Sequence, residues 1–253
     1  MTKEEFLELR DQGYTFSQIG GVFNLTERQV NYRTKKWGLD YSKKKELDEN
    51  FFSNNTKAAY YWAGFLAADG YIEGDRNRVG LGLQAQDIEH LQKFKTALNS
   101  SHEICPFMQN TAYRIRFNSE TMVRDLGSIF NITPAKTFTY TLPIFENIYL
   151  MLEFMRGYIE GDGHIEKTSS GKLKLHLCSV SKQFLDEFIE LCGLLLNRII
   201  TQTPTLKINK KGQVYSVTFT VQDSIELLTL MYKNSTTATR LDRKYAVVSS
   251  VLR

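Results

Sequence analysis

The sequence predicts an α+β fold in which two copies of an αββαββα unit are related by a pseudo-twofold axis, preceded by a small all-α domain. Three observations carry this reading. The segment Ala63-Gly64-Phe65-Leu66-Ala67-Ala68-Asp69-Gly70-Tyr71-Ile72-Glu73 is echoed by Arg156-Gly157-Tyr158-Ile159-Glu160-Gly161-Asp162-Gly163-His164-Ile165-Glu166 at a constant offset of 93 positions. Each copy leads into an apolar alternation and then a helical stretch: Val79, Leu81 and Leu83 before Asp87 to Leu98, and Leu173, Leu175 and Leu177 before Ser181 to Leu196. The first 45 residues carry neither pattern and read as three short helices. The expected boundaries are 1–45 for the all-α domain, 46–55 for a polar linker, 56–142 for the first half and 143–253 for the second.

Composition sets the outer limits. The 253 residues are 42% hydrophobic, 24% charged and 12% aromatic, an ordinary globular profile, and the formal charge of +4 permits a nucleic-acid partner without demanding one. Apolar stretches fall short of the ~18 residues a membrane helix needs, and Met1-Thr2-Lys3-Glu4-Glu5 is too acidic for a leader. The expectation is therefore no membrane partner and a cytoplasmic, nucleoid or organelle-matrix location, not a secreted one. Cys105, Cys178 and Cys192 form no C-x-x-C pair and read as reduced thiols, and His90, His102, His164 and His176 lack zinc-site spacing. Neither a G-x-S-x-G elbow nor a G-x-x-x-x-G-K phosphate loop is present.

The first helix is Glu4 to Arg10 with Phe6, Leu7 and Leu9 apolar, broken by Gly13; the second starts at Ser17 with Phe16, Ile19, Val22 and Phe23. Thr26 caps the third, Glu27 to Trp37, with Val30 inward and Gly38 ending it. This stretch resembles the helix-turn-helix consensus, from which Gly20-Gly21 departs at an expected cost in helix stability. The third helix turns Arg28, Gln29, Asn31, Arg33, Lys35 and Lys36 to solvent, residue types that read base edges and phosphates. A merely solvated face is the alternative, and the continuing run Lys43-Lys44-Lys45 favours DNA.

In each repeat a helix ends in an acid followed by glycine. Gly64 and Ala68, like Gly157 and Gly161, lie one turn apart and give each helix a face without bulk. Packed face to face, the helices bring Asp69 beside Asp162, with Gly70 and Gly163 expected to turn the chain sharply out. Two carboxylates at negative helix ends repel one another, so the arrangement calls for cations. Hard oxygen ligands suit Mg²⁺ or Mn²⁺ with substrate phosphates. A second strand pair in each copy ends at Tyr113-Arg114-Ile115-Arg116-Phe117 and Tyr215-Ser216-Val217-Thr218-Phe219, with helices beginning near Ser119 and Asp223.

These paired segments resemble the doubled signature motifs of LAGLIDADG homing endonucleases in their single-chain form, from about Thr56 onward. Trp62 and Met155 stand where the family usually has Leu, and Ala67 replaces the first, non-catalytic acid; Asp69 and Asp162, matching the catalytic acids, are both present. The resemblance implies metal-dependent cleavage of both strands of a long DNA site by a monomeric saddle. Two or three ions would be shared by Asp69, Asp162 and the DNA phosphates, with Ala68 and Gly161 as further ligands. Lys136 and Lys244 match the family's catalytic lysines in position, with an ordinary surface role as the alternative, and Asp87 stands where members often order water, with Ser181 its counterpart.

The strands supply the reading surface. Lys172, Lys174 and His176 share one face opposite leucines, and Arg114 and Arg116 share another; Arg76, Arg78, Gln84, Lys167, Lys207, Lys210 and Lys211 extend it. Solubility alone would need such a face too, and an expected shortage of acids favours DNA. Unequal halves predict an asymmetric target. Two further readings stay open: a non-cleaving transcription regulator on the same scaffold, and a maturase that binds intron RNA. The terminal residues lack the Cys/Ser and His-Asn groups of self-splicing, so an intein is not expected.

Overall fold

The structure is a computed structural model, and it describes residues 1–39, 41, 45–134, 136, 140–209 and 212–252. Lys43, Lys44, Lys210 and Lys211, named above for DNA, lie outside the described residues. The chain forms two compact units, Met1–Lys45 and Glu46–Arg253.

The first unit has three helices, α1 (Lys3–Asp11), α2 (Phe16–Phe23) and α3 (Glu27–Lys36), around Phe6, Ile19 and Val30. Each starts with a threonine, Thr2, Thr15 or Thr26, in a capping box. In the third box the backbone N–H of Thr26 donates to Gln29 Oε1 at 2.8 Å, which engages the side-chain oxygen of a residue expected to read bases. Gly20, expected to weaken α2, is required: a Cβ there would lie 2.5 Å from the Leu25 carbonyl oxygen. Tyr32, which the sequence reading passed over, is 70% exposed on α3.

The second unit repeats one pattern. Helix α4 (Lys57–Asp69) precedes β1 (Gly70–Glu73), β2 (Arg78–Gln84), α5 (Ile88–Ala97), β3 (Cys105–Phe107), β4 (Ala112–Asn118) and α6 (Glu120–Phe130). Helix α7 (Ile148–Asp162) precedes β5 (His164–Lys167), β6 (Leu173–Ser179), α8 (Lys182–Leu196), β7 (Thr205–Asn209), β8 (Gly212–Thr218) and α9 (Val221–Tyr232). The antiparallel sheets have matching orders, β1-β2-β4-β3 and β5-β6-β8-β7. Side-chain alternation explains their sidedness: Val79, Leu81, Leu83, Ile115 and Phe117 are buried in one, and Leu173, Leu175, Leu177 and Val217 in the other. Thr56, Ser119, Asn147, Ser181 and Thr220 cap helices with their side chains.

Two expectations need correcting. Residues 46–55 are no free linker: Phe51 and Phe52 are buried in the main core, and the Asp48 N–H donates to the Leu98 carbonyl at 2.9 Å. Two adjacent phenylalanines outweigh the Asn and Ser around them, because burying each is worth roughly 1.5–3 kcal/mol. An additional helix, α10 (Asp242–Ser249), follows α9 and carries Arg243 and Lys244.

Candidate active site

Helices α4 and α7 pack against each other more extensively than any other pair of elements. A Cβ on Gly64 would overlap the Phe154 carbonyl, one on Gly157 the Tyr61 carbonyl, and one on Gly161 the Ala68 methyl. The Gly64 and Gly157 contacts precede the Gly161–Ala68 contact along both helices, so the helices run parallel and their acid-bearing C-terminal ends meet. The small residues at i and i+4 are what permits backbone-to-backbone approach. A Cβ on Gly161 would also stand 3.5 Å from Asp69 Oδ2, which lays the first carboxylate over the last turn of the second helix.

The glycines after the acids work differently from expectation. Gly70 and Gly163 have φ of −80° and −72°, extended values open to any residue. Their need is steric: a Cβ would come within 2.7 Å of the Leu66 carbonyl oxygen and 2.6 Å of the Ile159 carbonyl oxygen, respectively.

Both aspartates are exposed at the helix ends, and the groups packed around those ends remove part of the water from their carboxylates. That desolvation, with the charge of Asp162 added, pushes Asp69 up to about 6. Asp162 is also raised by desolvation, opposed by Lys136, Lys244 and the Tyr158 hydroxyl. Tyr158 was not singled out in the sequence, where an aromatic inside an apolar helix reads as core; its counterpart 93 positions earlier is Phe65, which lacks the hydroxyl.

The two lysines grip the turns that follow the acids. Lys136 Nζ donates to the Gly70 carbonyl at 2.8 Å. Lys244 Nζ donates to the carbonyls of Ile159, Gly161 and Gly163 at 2.9, 3.2 and 2.5 Å. Desolvation lowers both, Lys244 to about 8 with Arg243 adding to the effect. A cleft of about 270 Å³ opens beside Lys136, lined also by Ala68, Tyr140, Tyr158, Asp162 and Cys178 among others.

Asp87 needs correction as a water-ordering residue. It is 7% exposed, and both its oxygens accept from Arg243 Nε at 2.8 and 3.0 Å, so its carboxylate is engaged in tying α10 to the first half. Its counterpart Ser181 caps α8.

Cross-strand partners share a face, which fixes what each solvated sheet surface carries. In the first sheet Arg78, Arg114 and Arg116 stand opposite Asn118, Gly82 and Gly80, with Tyr71 beside Gly80 and Gln84 at the strand end. The Arg114 guanidinium lies 5.3 Å from the Phe107 ring centroid, and Arg78 is held by Glu73 and Asn118, each at 3.0 Å. Arg76 at the hairpin is exposed beside Glu73 and Asp75. The second sheet presents His164, Lys174, His176 and Lys207, with Lys167 and Lys172 exposed nearby. The expected shortage of acids is not a complete one: Glu73 and Glu166 occupy matching places, and His176 Nε2 sits 3.1 Å from Glu166 Oε1. On α3 of the separate N-terminal unit, Arg28, Asn31, Lys35 and Lys36 are exposed and Arg33 is half-buried.

Residues 150–229 match the family described as LAGLIDADG-like domain. The crystal structure of I-DmoI in complex with DNA and Ca is similar at a TM-score of 0.50 and 16% identity, covering 76% of this chain and 97% of that one. Full-length DUF199/WhiA from Thermatoga maritima gives 0.49 and 12%, covering 80% and 64%. The I-LtrWI LAGLIDADG homing endonuclease bound to target DNA gives 0.46 and 11%, covering 75% and 87%. No curated protein matches the chain. The doubled LAGLIDADG architecture expected from the repeated motif is thus the architecture of the second unit.

Proposed function

We propose that this chain is a metal-dependent, site-specific endonuclease that cuts both strands of a long, asymmetric DNA duplex. The observation that carries the reading is the meeting of Asp69 and Asp162 at parallel helix ends, with Lys136 and Lys244 bound to the turn carbonyls beside them. Its scaffold is shared with I-DmoI, a protein crystallised with DNA and Ca. The donor set fits a hard divalent cation: two carboxylates whose charges oppose each other, both raised by their surroundings, at the negative ends of two helix dipoles.

Asp69 and Asp162 would hold Mg²⁺ or Mn²⁺, two or three ions in all, with Ala68 and Gly161 beside them; the Gly161 carbonyl is shared with Lys244. A divalent ion held there would supply Lewis-acid chemistry toward water and the phosphodiester. The chain's own groups do the rest. Lys136 and Lys244 keep positive charge fixed where the scissile phosphates lie, and the Tyr158 hydroxyl orients Asp162. The arginine face of the first sheet and the lysine–histidine face of the second read different half-sites, and the protein acts as a monomer. The three-helix N-terminal unit acts as a helix-turn-helix that adds DNA contacts through Arg28, Asn31, Arg33, Lys35 and Lys36 of α3; tethering it raises effective concentration at the site.

The test is incubation with a randomised duplex library, with Mg²⁺ or with chelator, beside Asp69→Asn and Asp162→Asn. Discrete cuts that need metal and vanish in both variants are expected. Specific binding without cutting, in Mg²⁺ or Mn²⁺, would replace this reading with that of a DNA-binding regulator.

A further inference from the structure

One charged cluster in the LAGLIDADG unit is fully enclosed and takes no part in the site described above. Arg156 and Glu160 of α7 are 1% and 0% exposed, and Glu153 is 6% exposed. Glu160 Oε2 accepts from the Leu241 N–H at 2.6 Å and from the Tyr61 hydroxyl. Arg156 donates to Glu153, to the Thr239 carbonyl and, at 3.3 Å, to Thr239 Oγ1. Tyr61 in turn meets His90 Nε2 at 2.9 Å, linking the cluster to α5.

The first repeat has nothing of the kind. At the positions of Glu153, Arg156 and Glu160 it carries Tyr60, Ala63 and Ala67, and its helix packs as well without them. Fold stability therefore does not require the ions. Burying them gives little net stability, since the loss of hydration offsets the attraction, and well-packed apolar residues commonly do as well. Besides Tyr61, the cluster holds the segment 239–241, and three residues later that segment becomes Lys244. Lys93 Nζ holds the same segment from the first half, donating to the Arg240 carbonyl at 2.9 Å and to Asp242 at 2.7 Å.

We infer that Arg156 and Glu160 are positioning residues for Lys244: they fix the 239–241 backbone so that α10 delivers this lysine to the carbonyls around Asp162. The inference rests on the nuclease reading only for its catalytic consequence. The two half-sites then differ in kind. The Lys244 side is set by an enclosed ionic clamp that has no counterpart at the matching α4 positions Tyr60, Ala63 and Ala67, so damage to the clamp falls on one DNA strand.

The experiment compares wild type with Glu160→Gln, with Tyr61→Phe, and with the double variant Arg156→Met/Glu160→Leu, which removes both charges together and so avoids stranding one. Lys244→Met and Lys136→Met serve as references. Each strand of a plasmid carrying the selected site is followed separately in Mg²⁺. The clamp variants are expected to slow the strand that Lys244→Met slows, on the order of 10²-fold in the double variant, and to accumulate nicked circles. Amide hydrogen exchange is read in parallel, with faster exchange expected over 239–248 and none of it in β2 or β6. A folded double variant that cuts both strands evenly, or that follows the Lys136→Met pattern, overturns the inference. So does unchanged exchange over 239–248, whatever the protein cuts. A wild type that cuts no DNA would sink the nuclease reading instead, leaving the exchange result to decide the positioning role.

Discussion

The two motif helices share a packing face and differ in what stands behind it. Helix α4 backs its acid with Ala63, Phe65 and Ala67, whereas α7 uses Arg156, Tyr158 and Glu160 at the matching positions. Both keep the small residues that let the backbones touch, and both keep the acid. The shared part is dictated by contact across the pseudo-twofold axis, where each helix is the other's partner. The divergent part of α7 reaches past that contact to the Tyr61 hydroxyl of α4, to Tyr232 and to the 239–241 segment, whereas Ala63 and Ala67 are too short to reach such partners. Symmetry is enforced only where the halves meet.

The largest expected effect lies in the shared part. Gly64→Val and Gly157→Val each drive a side chain into a main-chain carbonyl and should cost about 3 kcal/mol or more, to a similar degree. Thermal melts of the two variants check this, and a difference of several degrees between them would show the axis to be less symmetric than it looks.

Next comes the divergent part. Arg156→Ala leaves Glu160 and Glu153 enclosed without their counter-ion and should cost about 3–5 kcal/mol. The matching change in the first half, Ala63→Gly, should cost about 1 kcal/mol. Denaturant unfolding of both sharpens the contrast.

A smaller effect concerns pH. Asp69 is raised from 3.8 to about 6 in the folded protein. A carboxylate so raised contributes its full share of stability below its unfolded value, and that share is lost as pH climbs through the folded value. In chelator, wild type should therefore lose more stability between pH 4 and 7 than Asp69→Asn does, and added Mg²⁺ should erase the difference. Equal pH slopes for the two proteins would contradict the raised Asp69, whose main cause is desolvation with the charge of Asp162 added.

The smallest effect is expected of Tyr158→Phe, which makes the second half resemble the first. Asp162 should titrate higher by carboxyl NMR, while stability changes by about 1.5 kcal/mol or less.

Much of this was legible in the sequence because the signals were local or repeated. Strand alternation at Val79 to Leu83 and Leu173 to Leu177, the capping Thr26, and the acid-glycine pair at one offset each identify their element without knowledge of the rest. Other features needed the third dimension. Phe51 and Phe52 sit in a polar stretch, and only the core they enter explains them. Asp87 and Arg243 are 156 positions apart, and no spacing rule joins them. Arg156 and Glu160 look like an ordinary i, i+4 surface pair until α4 and the 239–241 segment enclose them. Gly20 looked like a defect because the turn that presses on it lies beyond its own helix.

Arg243 and Lys244 carry a consequence for biosynthesis. Asp69, Lys136 and Asp162 all leave the ribosome before these two neighbours do. With translation proceeding at roughly 5–20 residues per second, the nascent domain spends several seconds with both acids made and the residue that closes the second half still missing. Over that interval both acids are present while Lys244, which holds the turn carbonyls around Asp162, is still missing, so the second half of the site is completed only once α10 has been made.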